Sequence, residues 1–406
     1  MYRKIATSDL RIGMYVASLD RPWVETSFLF QGVRLARPEE IQHLQETCSY
    51  VYIDHARSDW PDQDDRSFPP PPRKALCTVL REYYGSLQHY EDAATAEQER
   101  VHARQAWRNA LETVEQVWSR IGEGQPLLVP EVQQAVNGVI ESVVRNPDAF
   151  LWLRQLELAG GYNYQHAVGC CGLAVAFGRQ LGIPREGLAE LGLGAMLLDI
   201  GKLRLPRELL EKRDAMTEQE MACLRAHVEK GVAMLRRSGK VPQAVLEMVR
   251  YHHERFNGEG YPEQLRGENI PVVARIAAII DCYDAITSER VYCKAIHPGE
   301  AIRLLYEWRG IDFQEELIEQ FIQCLGIYPT GSLVELNNGE VGIVLAQNRS
   351  RRLRPRVLMV LDAAGRPFGF APVRDLAVEG GEEAPVEIVR YADPAEYDID
   401  LTDYYL

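Results

Sequence analysis

Four histidines and two aspartates set the chemistry to be explained. His166, His227, His252 and His253 are interspersed with Asp199 and Asp281 over one stretch of the chain. Each falls in a helical pattern on or beside an apolar face: His227 follows Leu224 and precedes Val228 and Gly231, and His252 continues the stripe Val245, Met248, Val249. Asp281 is embedded in ARIAAIIDCYDAI, where an unpaired carboxylate would be costly to bury. One imidazole on an apolar face is ordinarily a satisfied core residue. Several imidazoles with two carboxylates, on the inward faces of adjacent helices, instead make a mixed nitrogen and oxygen donor set suited to divalent iron, manganese or zinc.

The elements that must position these groups are helices. Residues 148–328 read as a dense helical domain whose boundaries are marked by Gly182-Ile183-Pro184 at one helix end, by the capping-box pattern Thr217-x-x-Glu220, and by Pro242 and Pro271 at helix starts. Ahead of it, residues 75–147 form a helical connecting segment, rich in Ala, Glu and Gln, expected to pack on another helix or on a second subunit. Residues 57–74 carry five prolines and several charges and read as an acidic linker. Residues 1–56 mix short apolar runs (Met14–Ala17, Phe28–Val33, Tyr50–Ile53) with one helix opened by Pro38, a small β-rich domain. Beyond Pro329 the period changes: Ser332–Leu336, the turn Asn337-Asn338-Gly339 and Val341–Leu345 predict a hairpin, joined by a third strand over 356–361. This β-hairpin extension is placed at 329–378, with an acidic tail at 379–406. The fold class is therefore mostly α, with β-rich pieces at both ends. Arg349, Arg351, Arg352, Arg354 and Arg356 are expected in a solvated loop between two strands.

Composition limits the partners. The chain has 406 residues, 46% hydrophobic and 26% charged, the balance of an ordinary globular protein rather than a disordered or membrane-embedded one. At about 100–200 residues per domain it holds two or three domains. Its net charge of −14 gives no long-range attraction for DNA, RNA or an anionic membrane. A phosphate ligand must then be held by local cations. The eight cysteines form no CxxC pattern, and no stretch approaches a membrane-spanning or signal segment, so a reducing, cytoplasmic setting is expected.

The order and spacing of five motifs carry a resemblance. LLDIGKLRLP at 197–206, HHERFNGEGYP at 252–262 and DCYDAITSERVY at 281–292, with His166 in YNYQH and His227 between them, resemble the HD-GYP family, a branch of the HD superfamily of metal-dependent phosphohydrolases. The likeness spans about residues 155–328, and the N-terminal segment resembles a domain of unknown function often found ahead of such domains. It implies a helical HD-type fold and hydrolysis of cyclic di-GMP to linear pGpG, with GMP as a further product left open. By the same resemblance, His166, Asp199, His227, His252, His253 and Asp281 are metal ligands, with Asp199 bridging two divalent ions, iron or manganese. Asp199 and Lys202 are then catalytic, and Lys202, Arg290, Lys294 and the loop Gly260-Tyr261-Pro262 contact substrate.

The chain departs from the family pattern at two informative places. The family's His-Asp dyad reads Leu198-Asp199, which removes one imidazole ligand. Asp199, His227, His252 and His253 would keep one ion, while the other would retain His166, Asp199 and Asp281. Cys293 stands where the family usually has a basic residue, leaving Lys294 beside it. Three readings stay open: a working cyclic di-GMP phosphodiesterase, a degenerate module that binds cyclic di-GMP or a signalling protein without turnover, and a hydrolase of another nucleotide. A homodimer through the connecting helices is also open.

Overall fold

The computed structural model describes residues 2–19, 33–35, 38–54, 58, 75–156, 162–212, 214, 216–288, 295–349, 351–378, 385–397 and 399–404. It divides into two compact units, Met1–Arg73 and Lys74–Leu406. The first is a four-stranded antiparallel sheet in the order β1 (Tyr2–Ala6), β4 (Tyr50–Asp54), β2 (Tyr15–Leu19), β3 (Val33–Arg34), with helix α1 over Pro38–Thr47. Val16, Leu35, Leu44, Val51 and Ile53 bury its core. The predicted strand at Phe28–Val33 lies outside the described residues apart from Val33, and so does nearly all of the predicted linker.

The second unit is helical. It runs through α2 (Leu76–Tyr84), α3 (Ala96–Gly122), α4 (Val129–Arg145), α5 (Pro147–Leu156), α6 (Tyr162–Gln180) and α7 (Arg185–Met196). It continues through α8 (Arg207–Leu210), α9 (Glu218–Arg225), α10 (His227–Arg237), α11 (Gln243–Tyr251), α12 (Val272–Thr287), α13 (Pro298–Glu307) and α14 (Glu315–Leu325). Thr217 closes a reciprocal capping box with Glu220 at the start of α9, and Pro242 and Pro271 are the N-caps of α11 and α12. The polar α3 packs on α4, α5 and α6, and α4 packs on α6 and α7, so the connecting segment is a layer of the helical unit. The helix α12 is mostly apolar and buried on nearly every residue, with Arg275, Asp281 and Asp284 the buried charged exceptions. It packs against α6 and α11, which brings Asp281 beside the elements that carry the histidines. Among the described residues no helix is long and apolar enough to cross a membrane.

The C-terminal part is larger than the sequence suggests. β5 (Leu333–Leu336), β6 (Val341–Ala346) and β7 (Arg356–Leu361) form the expected antiparallel meander. The sheet has five strands in the order β8-β7-β6-β5-β9, with β8 at Val373–Asp375 and β9 at Ile388–Tyr391. The reading of 379–406 as an acidic tail is therefore corrected: part of it is an edge strand, followed by the short helix α15 (Pro394–Tyr397). The acidic residues that masked this strand take part in holding it, since Arg390 on β9 donates to Glu335 Oε2 on β5 (2.7 Å) and to Glu396 Oε2 (2.9 Å).

The arginine run is also corrected. Arg356 donates twice to Glu97, Arg354 to Glu387, Arg351 to the Ala377 carbonyl and Arg352 to the Gln323 carbonyl. Arg349 reaches the buried Asp148 at the start of α5 (3.0 Å), whose carboxylate also accepts from the Gln347 amide (3.1 Å) and the Thr330 hydroxyl (3.2 Å). Arg349, Arg352 and Arg356 thus join the sheet to the helices, whereas Arg351 stays exposed and, like Arg354, bonds within the C-terminal part. Burial raises the Asp148 carboxyl and Arg349 opposes that shift, so the pair is mutually dependent. Arg349→Ala is expected to cost about 2–3 kcal/mol, less than the full penalty for orphaning a buried charge because Arg349 is one-third exposed. Thermal melting checks this, with Arg303→Ala on an exposed pair as a control that leaves the midpoint in place.

Candidate metal centre

Five elements deliver the donors. His166 lies near the start of α6, Asp199 immediately before the 3₁₀ turn Ile200–Arg204, His227 at the first position of α10, His252 and His253 directly after α11, and Asp281 within α12. The turn after Asp199 packs so closely on α10 that a Cβ on Gly201 would overlap the His227 carbonyl. A side chain there would push Asp199 and His227 apart.

The donors form two groups sharing one carboxylate. One atom each from Asp199, His227, His252 and His253 lies within 4.8 Å of the others, and the same holds for His166, Asp199 and Asp281. Asp199 divides its oxygens between them. Oδ1 lies 3.3 Å from His227 Nε2 and 3.9 Å from His252 Nε2. Oδ2 lies 3.5 Å from His166 Nε2 and accepts from Lys202 Nζ at 2.6 Å. His166 Nε2 is also 3.3 Å from Asp281 Oδ1.

The backbone decides which nitrogens are available. His227 Nδ1 faces the Leu224 carbonyl (2.8 Å), and His252 Nδ1 faces the Met248 and Val249 carbonyls (3.2 and 3.1 Å). Carbonyls only accept, so each Nδ1 carries the proton and each Nε2 presents a lone pair. Burial lowers the pKa of all three imidazoles in this group, pushing His252 down to about 4, so they are neutral near pH 7. Two bare nitrogens then face each other at 3.5 Å, beside Asp199 Oδ1, a buried oxygen with no hydrogen bond. Lone pairs so arranged repel unless a cation lies among them. The donor set fits a divalent ion, and Nδ1–H···O=C is the usual support for an imidazole ligand.

The second group is more acidic. Burial opposes charge on His166, but Cys170 and the hydrogen bonds to Asp199, Asp281 and Asp284 outweigh it and raise its pKa. Burial likewise opposes ionisation of Asp281, yet the His166 hydrogen bond and the neighbouring imidazoles hold its carboxyl well below the usual range. A cation here would replace the proton on His166 Nε2. Leu198, beside this group, is buried.

The loop expected to meet substrate lies against the donors. The Tyr261 ring stacks on His253 (4.6 Å between centroids, 25° between planes) and has the Arg225 guanidinium 5.1 Å from its centroid. Gly260 is in such close contact with His253 and Glu254 that a Cβ would overlap their backbone. Pro262 borders the cavity beside them. Arg290 and Lys294 lie outside the described residues.

Three positioning residues escaped the sequence reading. His166 Nδ1 is 2.7 Å from Asp284 Oδ2, and Asp284 Oδ1 accepts from Arg154 Nε at 2.8 Å. Arg154 also donates to Thr287 Oγ1 (2.7 Å). Asp284 thereby fixes the His166 tautomer and aims Nε2 at Asp199 and Asp281. The burial argument that singled out Asp281 applied equally to Asp284 three residues on, whereas nothing local pointed to Arg154. Glu254 accepts from the Glu263 and Leu265 amides (2.7 and 3.0 Å) and so pins the loop that follows Tyr261-Pro262. Asp284→Asn is expected to weaken metal retention about 10–100-fold, the usual effect of losing the partner of an imidazole ligand. Metal content after dialysis checks this, alongside a melting curve showing that the fold persists.

Comparisons with known proteins place likenesses along the chain. Residues 152–314 match an HD domain, residues 2–132 a domain of unknown function (DUF3391), and residues 333–400 a KOW domain associated with HD domains. A cyclic di-GMP phosphodiesterase of Pseudomonas aeruginosa is 33% identical over 98% of this chain and 93% of its own length. A 3′3′-cGAMP-specific phosphodiesterase of Vibrio cholerae is 38% identical over 31% of this chain and 24% of its own. The solved structure of an HDG"Y"P protein from Bdellovibrio bacteriovorus aligns with 79% of this chain and 98% of its own at 17% identity and a TM-score of 0.46. With donors suited to a divalent cation inside its HD domain and a relative matched along nearly its whole length, the chain belongs to the HD-GYP family of metal-dependent phosphohydrolases.

Proposed function

We propose that this chain hydrolyses a phosphodiester of cyclic di-GMP to give pGpG in bacterial second-messenger signalling. The observation that carries the reading is the division of Asp199 between two donor groups, with one buried oxygen unbonded among imidazole lone pairs. The relative from Pseudomonas aeruginosa, similar over nearly its full length, is named for that activity.

His227, His252, His253 and Asp199 would hold one ion, and His166, Asp281 and the other oxygen of Asp199 a second, with iron or manganese the metals that the family resemblance implies. Bound divalent ions supply an activated water and neutralise charge on the phosphate. The residues of the chain arrange the rest. Asp199 keeps the two groups in register. Lys202, held against Asp199 Oδ2 at 2.6 Å, places an ammonium where charge develops on the phosphoryl oxygens. Tyr261, braced on His253, forms a wall of the substrate site, and Arg290 and Lys294 are assigned to the phosphates. Water oxygen bonds to phosphorus as the bond from phosphorus to the 3′ oxygen breaks, and that oxygen leaves with a proton.

The experiment is hydrolysis by protein purified without oxygen and loaded separately with Fe²⁺ or Mn²⁺, with products separated by chromatography. Appearance of pGpG supports the reading. Preference for another cyclic or linear nucleotide, 3′3′-cGAMP included, or no product from folded, metal-loaded protein, would overturn it. Leu198→His restores an imidazole beside the poorer donor group. It is expected to raise metal content towards two ions per chain and to strengthen retention at that group at least about tenfold, with faster hydrolysis. If metal content and rate both stay unchanged, the missing imidazole is not what limits the site.

A further inference from the structure

A cavity of about 850 Å³ opens beside the metal centre, between α9, the start of α10 and the loop 259–264. Its size suits a nucleotide-sized ligand. It adjoins the donors through Tyr261, which lines the cavity and stacks on His253. Met216, Met221 and Pro262 give it an apolar surface on which a flat ring can pack, methionine sulfur being a favourable neighbour for an aromatic base.

Among the polar groups in this wall, Arg225 and Glu229 have no assigned task and lie four residues apart. Arg225 rests over the Tyr261 ring and, among the described residues, makes no ion pair or hydrogen bond, so its guanidinium donors remain available. Glu229, four residues on across the corner between α9 and α10, lines the same cavity and is likewise unpaired among the described residues. Glu263, by contrast, is engaged by Arg250 and Tyr251, and Glu259 by Asn257. The cavity therefore offers one planar fork of donors and, four residues on, a carboxylate acceptor at Glu229, with Glu218 on α9 a second carboxylate in the lining.

We propose that Arg225 and Glu229 read a guanine base of the cyclic dinucleotide in this cavity, an assignment that rests on the function proposed above. Guanine presents O6 and N7 as adjacent acceptors, the arrangement a guanidinium meets with two parallel bonds. It presents N1–H and the 2-amino group as adjacent donors, which a carboxylate accepts. Adenine keeps N7 but sets its 6-amino group against Arg225 in place of O6, and turns the N1 lone pair towards Glu229. The pair is thus a specificity device: it selects the base and leaves phosphate chemistry to the metal centre.

The test compares Arg225→Ala and Glu229→Gln with the unsubstituted metal-loaded chain. It measures binding of cyclic di-GMP and cyclic di-AMP by calorimetry, and KM and kcat for hydrolysis. Both substitutions are expected to weaken cyclic di-GMP about tenfold or more in Kd and KM, with a smaller change in kcat, and to narrow the preference over cyclic di-AMP by a similar factor. Equal weakening of both dinucleotides, or loss confined to kcat and metal content, would show that Arg225 only braces Tyr261 and would overturn the assignment. Unchanged binding and KM would overturn it while leaving the phosphodiesterase reading intact. Binding of cyclic di-GMP that depends on Arg225, in a chain that cleaves no cyclic dinucleotide, would support the cavity and remove the activity.

Discussion

Everything in the helical unit is arranged around one electrostatic difficulty: several lone pairs converge on a single buried carboxylate. Asp199 has one oxygen without a hydrogen bond, and the His227 and His252 Nε2 atoms face each other beside it. Backbone carbonyls on both Nδ1 atoms remove the simplest escape, a change of tautomer that would let one imidazole donate to the other. Protonation is opposed too, because burial disfavours the imidazolium. The fold thus closes off the alternatives to a cation, and its stability and its chemistry meet at the same atoms.

The rest of the architecture can be read as support for that arrangement. The turn after Asp199 can approach α10 only because Gly201 lacks a side chain. The buried α12 presents Asp281 to the donors and, one turn on, Asp284 to His166, while Arg154 from α5 balances Asp284. Asp148, also on α5, is tied through Arg349 and Gln347 to the C-terminal sheet. The helix that steadies His166 through Arg154 is therefore itself anchored to the sheet. That gives the sheet a structural link to the site without placing any of its side chains there.

Much of this was legible in the sequence because the signals were local. The capping box at Thr217, the prolines before α11 and α12, and the Asn-Asn-Gly turn each mark an element within a few residues. The candidate donors stood out because imidazoles and carboxylates on apolar helix faces need a reason to be there. What was not legible depended on distant pairing. Arg154 meets Asp284 across 130 residues, and Arg349 and Arg356 could not be told from solvated arginines because their partners Asp148 and Glu97 lie far back in the chain. The strand Ile388–Tyr391 is four residues long in acidic surroundings, and only its pairing with β5 makes it a strand.

The replacement of a histidine by Leu198 takes on a particular meaning in this setting. A histidine ligand contributes a neutral lone pair, so its loss lowers the number of donors without changing the charge of the site. Asp199 and Asp281 remain, both held ionised against burial by their cationic or imidazole neighbours. Attraction for a dication at that group would therefore be preserved, with His166, Asp199 and Asp281 the protein donors available to hold it. A shell with positions open to exchange is what a substrate-binding ion requires, whereas an ion held only for structure prefers a full set of protein ligands. Leu198 itself is buried, directly beyond the end of α7. On these grounds the departure would remove a donor from that group without dismantling its electrostatics.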